Sequence, residues 1–374
     1  MAFDDDGRKK QSSASNRGTL AQVFIPRTIK IAGRALETTP VFDAYWYFAA
    51  ERQRIFFDRV VGSNARTHDP ILAAFKFTNA YRASDRVSQY LIRNVIYRDD
   101  LPSDPENVFF RTMLFKIFNK IETWEALERE LGALSLHTYR FDAFDAFLTH
   151  RQDNGQRNYA AAYIMPSAGN VFGFRRKHSN HLRLIEWMLR ERFVDRLRQA
   201  SSMRDAFALL ASAPSLGPFL AFQFTIDINY GPVTDFSERD FVVAGPGALD
   251  GISKCFIGAR GVPPSAIIAH MADHQHDYFA ELKIDFRDLW GRELQLVDCQ
   301  NLFCEISKYA RAAFPEIGGL SGRTRIKQKF RPAGRVPTPW YPPKWHLDVR
   351  MPREGASHSE VGLQAAKAVQ YTLF

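Results

Sequence analysis

From Val41 to about Leu210, apolar residues recur at intervals of three and four. The stretches FDAYWYFAAERQRIFFDRVV, FKFTNAYRASDRVSQYLIRNVIY, NVFFRTMLFKIFNKIETWEALEREL, LHTYRFDAFDAFLTHRQ and NHLRLIEWMLRERFVDRLRQ each carry this spacing over helix length, which predicts a succession of amphipathic helices. Punctuation agrees: residues 100–105 interrupt the pattern, Gly132 closes one helix, and PSAGNVFGFRRK reads as a loop. Strand-like alternation is scarce and sits near residues 23–35. The expected fold class is mainly α, a compact helical array with little β and extended termini. Three parts are expected: a flexible polar arm over 1–36, a helical body over 37–320, and a basic, Pro-rich extension over 321–374.

The second stretch, residues 75–97, reads as one helix with Asn79, Arg82, Arg86, Gln89 and Arg93 along one face. Guanidiniums are costly to bury unpaired, so this row faces water, acidic partners or an anionic ligand. Glu51, Arg52 and Arg54 on the preceding stretch, with Asp43 and Asp85, could form an ordinary Glu/Arg network between neighbouring helices. The use of arginine throughout the row equally suits bidentate recognition of phosphate or carboxylate.

Further polar groups interrupt apolar runs downstream. In LGPFLAFQFTIDINY, a turn at Gly217 joins two helices, and Gln223 and Asp227 follow four residues apart, with Asn229 and Tyr230 behind them. A glycine-containing turn of this kind resembles a helix-hairpin-helix element, in which backbone N–H groups approach a DNA phosphate, although Pro218 stands where a second glycine is usual. Asp227 reads either as a helix-capping group or as a functional carboxylate. In CQNLFCEISKYAR, Asn301, Glu305 and Lys308 share a face, so Glu305 is either a surface partner of Lys308 or a half-buried carboxylate. GPGALDGISKCF suggests an anion-binding loop before a helix, but it is not a Walker A motif, and the sequence contains no Gly-Lys dipeptide; P-loop kinase or ATPase chemistry is excluded. His270, His274 and His276 lack a fixed third ligand or an accompanying catalytic glutamate, so they read as a solvated histidine-rich helix. No metal and no cofactor are expected.

Composition narrows the class. The 374 residues are 45% hydrophobic, include 31 Phe and carry a net charge of +9, which describes a folded chain with a cationic surface suited to polyanions. Three cysteines without zinc spacing suggest a reducing, intracellular setting, and neither a secretory signal nor a membrane span is expected. In GRTRIKQKFRPAGR, Arg323, Arg325, Lys327, Lys329 and Arg331 occupy every second position, so an extended backbone would present all five on one face, either as a solvated edge or as an arm tracking phosphates.

The blocks YWYFAAERQRIFFDR, FKFTNAYRASDRVSQYLIRNVIY, LGPFLAFQFTIDINY, FVVAGPGALDGI and NLFCEISKYAR, in this order, resemble the family known both as the 5-hydroxymethyluracil DNA kinase helical domain and as the alpha-glutamyl/putrescinyl thymine pyrophosphorylases. The resemblance covers residues 40–345. It implies a fold akin to helix-hairpin-helix DNA glycosylases and an enzyme of thymine hypermodification, which displaces the phosphate or pyrophosphate of activated 5-hydroxymethyluracil in DNA with an amine or amino acid. The partners it implies are DNA with a modified base, an amino acid or polyamine co-substrate and a separate 5-hydroxymethyluracil kinase, in an intracellular, DNA-associated setting.

On residue chemistry, Asp227 and Glu305 are the candidates for orienting or deprotonating the amine. Arg52, Arg54, Asn79, Arg82, Asp85, Arg86, Gln89, Gln223, Asn229 and Lys308 are candidates for substrate and phosphate binding. Gly217, Arg323, Arg325, Lys327, Lys329 and Arg331 are candidates for the DNA backbone. Two other readings stand beside this one. A monofunctional glycosylase would use Asp235 or Asp240, a lysine-dependent lyase being disfavoured because no lysine occurs between Lys177 and Lys254. The other is a non-catalytic DNA-binding helical module.

Overall fold

A computed structural model describes residues 24–63, 67–331 and 336–349. Most of the expected polar arm over 1–36, and the tail beyond 349, therefore lie outside the described residues.

The chain enters through a hairpin, β1 (Thr28–Ile31) and β2 (Arg34–Thr38), paired antiparallel from Thr28–Glu37 to Ile31–Arg34. Its two-residue turn places Ala32 and Gly33 at φ 48° and 76°, the primed geometry that matches strand twist. A short strand β3 (Phe256–Ile257) extends the sheet beside β2. All other regular structure among the described residues is helical, as the periodicity predicts.

The helices are α1 (Pro40–Val60), α2 (Pro70–Ala74), α3 (Arg86–Leu91), α4 (Pro105–Phe118), α5 (Ile121–Leu131), α6 (Phe141–Asp153), α7 (Gly169–Phe172), α8 (Lys177–Arg190) and α9 (Phe193–Arg198). They continue with α10 (Met203–Ala211), α11 (Pro218–Asn229), α12 (Pro246–Cys255), α13 (Pro264–Asp273), α14 (Gln275–Glu281) and α15 (Leu296–Ala313). Among the described residues, no helix is long and apolar enough to cross a membrane.

Helix starts follow local chemistry. Thr39, Asp69, Asp104 and Ser202 each accept a first-turn backbone N–H from α1, α2, α4 and α10, satisfying donors that a helix leaves orphaned. Proline stands in the first turn of α1, α2, α4, α11, α12 and α13, where its missing N–H costs nothing. The long stretch beginning at Asn107 is two helices, because Asn119 turns left-handed at φ 48° and closes α4 before α5 begins.

The core is one continuous apolar cluster spanning α1, α4, α8, α11 and α15. Near its centre, Tyr45 and Trp46 of α1 meet Phe303 and Phe279 with ring centroids 4.8 and 5.0 Å apart. Helices α12 and α15 pack closely. A Cβ added at Gly251 would lie 2.0 Å from the Phe303 carbonyl oxygen, and one at Gly247 would lie 3.1 Å from Cys304 Sγ. The glycines of GPGALDGI thus serve a helix–helix contact rather than the anion-binding loop expected from their spacing. We expect Gly251→Ala to destabilise the protein by about 1–3 kcal/mol or more, because neither backbone can yield. Gly217→Ala, which opens onto empty space, should move a urea midpoint little by comparison.

Residues 323–331 run extended across the end of α2. Lys76 N donates to Gln328 O at 3.0 Å and Phe330 N to Ala74 O at 2.9 Å, with a bridge between Phe75 and Lys329. Residues 336–349 dock on the body: Tyr341 is buried, its hydroxyl 2.8 Å from Ser84 Oγ, and Lys344 Nζ donates to the Thr234 carbonyl at 2.6 Å.

Candidate functional site

Residues 75–97 do not form the single helix that their spacing predicts. The segment is extended over 75–78, turns once as a 3-10 helix at Arg82–Ser84, forms α3, and ends in a π turn at Ile92–Ile96. Its early backbone is claimed by distant groups. Thr78 N donates to Glu305 Oε2 at 3.0 Å, and the Thr78 carbonyl accepts Arg52 Nε at 2.8 Å. Asn79 N donates to Asp85 Oδ1 at 2.8 Å while its side-chain oxygen accepts from Arg52 at 2.8 Å. The polar row is consequently broken up: Arg82 turns inward and Arg86 outward.

At the inner end lies a buried ion cluster. Arg82 and Lys116 contact the two carboxylate oxygens of Asp227 at 2.7 and 2.6 Å, with all three side chains at most 5% exposed. Arg82 also donates to Gln223 Oε1 at 3.1 Å and to the Tyr230 hydroxyl at 2.9 Å, and its backbone N–H donates to Asp298 at 2.7 Å. Helices α4 and α11, packed side by side, bring Lys116 and Asp227 together. Burial works against the charge on Arg82, but Asp227, joined by Tyr230 and Tyr163, outweighs it and holds the guanidinium pKa well above its usual value. Burial would raise the Asp227 pKa, yet Arg82 and Lys116 prevail and lower it. Lys116 is brought down to about 8 by burial, against the pull of Asp227.

A half-buried polar patch adjoins this floor. It holds Thr78, Asn79, Asp85, Asn301, Cys304 and Lys308. Asn301 Nδ2 donates to Thr78 Oγ1 at 3.0 Å, and Lys308 pairs with Glu305 at 2.7 Å above the Phe77 ring. Asp85 is pushed up to about 7, chiefly by burial and despite the Asn79 N–H. Tyr163 roofs the floor: Lys116 Nζ lies 4.2 Å from its ring centre, and the ring stacks on Phe219 at 6.0 Å.

Of the residues singled out in the sequence, Arg52, Asn79, Arg82, Asp85, Gln223, Asp227, Glu305 and Lys308 come together here. Others stand apart. Arg54 is on the opposite side of α1 from Arg52, paired with Glu51 and Asp58. Arg86 is exposed, 3.8 Å from Glu122. Gln89 ties the tail down, donating to Ala83 O and accepting from Trp340 N, both at 2.8 Å. Asn229 braces the following loop through Phe236 and Thr234. Asp235 and Asp240, the carboxylates of the glycosylase reading, are exposed and stand apart from this cluster, Asp235 lying 3.4 Å from Lys344.

Gly217 starts α11, and Arg323, Arg325, Lys327, Lys329 and Arg331 are all exposed on the extended segment. The guanidiniums of Arg52, Arg82 and Arg86 do not converge on one surface, since Arg52 and Arg82 are buried and Arg86 is exposed. Arg52 and Arg82 are held by internal partners, and clefts of about 270 and 300 Å³ lie elsewhere, against α14 and between α5 and α6. Among the described residues, no group of three or more His, Cys, Asp or Glu side chains is placed to hold a metal ion.

Sequence reasoning missed Lys116 and Tyr163. The available signal was a lysine in the otherwise apolar run LFKIF, on a helix buried all round.

Residues 39–319 match the family described as "5-hmdU DNA kinase, helical domain". A protein of Bacillus phage SP10 named "5-hmdU DNA kinase" is 24% identical over 292 residues, covering 72% of this chain and 45% of the phage protein. This chain therefore matches less than half of that relative's length. No solved structure matches it. With five sequence blocks in order, a mainly helical body around the buried Arg82–Asp227–Lys116 cluster, and a match over most of its length, the chain belongs to the 5-hmdU DNA kinase helical-domain family.

Proposed function

We propose that this protein acts on DNA containing 5-hydroxymethyluracil and replaces the phosphate or pyrophosphate of the activated base with an amine or amino acid. The observation that carries this reading is two cations, Arg82 and Lys116, held on one buried carboxylate beside a half-buried polar patch. It gains support from a relative named for action on 5-hmdU DNA.

In the substitution, the amine nitrogen bonds to the 5-methylene carbon while the carbon–oxygen bond breaks. The phosphate leaves with the electron pair, and the new ammonium gives up a proton. Arg82 and Lys116 provide positive charge toward the leaving group. Asp227, kept ionised by both, holds them in place and is a poor proton acceptor. Asp85, raised to about 7, is better matched to taking the proton at neutral pH. Asn79, Asn301 and Gln223 offer amide groups to an extruded base, and Arg52 and Glu305 brace the Phe77–Asn79 backbone beneath it. The cations from Arg323 to Arg331 and the turn at Gly217 meet backbone phosphates.

Incubation with DNA carrying phosphorylated or pyrophosphorylated 5-hydroxymethyluracil and a panel of amines, followed by nucleoside mass spectrometry, tests this. The expected result is an amine adduct with loss of phosphate, slowed about 100-fold or more in Lys116→Met. Free base would instead assign a glycosylase, and unchanged DNA with salt-sensitive binding would assign a binding module.

A further inference from the structure

Three of the large apolar side chains left exposed, Ile164, Val171 and Phe174, lie in the segment joining α6 to α8, Val171 within its short helix α7, and Ile164 is 72% exposed. Scattered apolar residues on a surface need no explanation, but a group on one loop does.

This loop is anchored at both ends. Ala160 N donates to Phe118 O at 2.9 Å. The His181 ring bridges the Tyr159 hydroxyl and the Pro166 carbonyl at 2.8 and 2.6 Å. The Asn180 carboxamide, fully buried, accepts Phe174 N at 2.9 Å and donates to Phe174 O at 2.8 Å. Between these anchors, Tyr163 has a φ of 55°, a left-handed conformation uncommon for an aromatic residue, which persists only where the surroundings impose it. Its side chain faces inward to Lys116 and Phe219, whereas the next side chain, Ile164, faces water. Charge completes the picture. Arg157 and Arg175 are exposed at the two roots of the loop and have no ionic partner among the described residues, while Arg176 secures the base through Asp153 at 3.0 Å.

We infer that this loop is a wedge for duplex DNA: Ile164 enters the base stack beside the target nucleotide, Arg157 and Arg175 meet the flanking phosphates, and Tyr163 stays packed on Lys116. An apolar side chain on an anchored loop can hold two base pairs apart, whereas an unsupported one would fold away. Cations on both sides favour a polyanion over an apolar protein partner or a neutral surface. The inference rests on the proposed action on a base in DNA, since only an enzyme needing the base outside the stack requires such a device.

The test uses the full-length protein and 5-hydroxymethyluracil DNA, single- or double-stranded, with 2-aminopurine next to the modified base. Wild-type protein should raise 2-aminopurine fluorescence in the duplex. Ile164→Ser should cut that rise about fivefold or more while duplex affinity stays within about threefold, and Ile164→Met should preserve it. Binding to single strands should be the same for all three. An Ile164→Ser signal equal to wild type, or no rise with wild type, overturns the wedge. The readout is unstacking rather than turnover, so a normal signal without adducts would sink the proposed reaction and leave the wedge standing.

Discussion

Asp227→Asn is expected to lower the unfolding free energy by about 3–5 kcal/mol, a large part of the total stability of a typical domain. The substitution is nearly isosteric, so packing is unchanged and the effect is electrostatic: Arg82 and Lys116 would both remain buried without a counter-charge. The two differ in how they can respond. Lysine can shed its proton, and Lys116 is already down at about 8, whereas a guanidinium stays charged and must draw in water or move. Adding Lys116→Met to Asp227→Asn should therefore cost at least about 1 kcal/mol less than it does in the parent. Urea denaturation of the parent, both single variants and the double variant measures this coupling. Strict additivity would mean that the three groups do not act as one unit.

Asp298→Asn should gain stability relative to the parent as pH rises from about 4 to 7. Asp298 accepts the backbone N–H groups of Arg82 and Gln295 at 2.7 and 3.0 Å, but burial, joined by the Glu238 carboxylate, pushes it from 3.8 to about 7. Between those values the folded protein holds a proton that the unfolded chain has released. The contribution of this group to stability is thus fully present below about 4 and is lost as pH climbs through 7. Asparagine does not titrate, so the variant-minus-parent difference should climb by as much as about 4 kcal/mol over this window and level off above it. Taking the difference at each pH cancels groups common to both proteins, including His181, which burial lowers to about 4. Any hydrogen bond weakened by the amide shifts the whole curve without changing its slope. A flat difference would show that Asp298 titrates like an exposed carboxylate.

The helices α1, α4, α6, α8 and α15 were legible because apolar spacing is a property of neighbouring residues. So was the helical pair around Gly217, and Asp227 and Glu305 drew notice as acids within apolar runs. Residues 75–97 misled for a definite reason. Their spacing is helical, yet Arg52, Glu305 and the Gln328–Phe330 segment take the backbone groups that helix propagation would use. These competitors lie far away in the chain. Lys116 was overlooked for a related reason: one cation in an apolar helix has no evident role until its carboxylate is opposite it.

The order of residues thus determined the helical character, the places where most helices begin, the exposed charge of residues 323–331, and the family. Tertiary structure alone decided which arginines turn inward, that Lys116 completes the cluster and that Tyr163 roofs it. Periodicity and capping are settled within a few residues, but compensation of a buried charge depends on distant groups brought within about 3 Å, which no local pattern encodes.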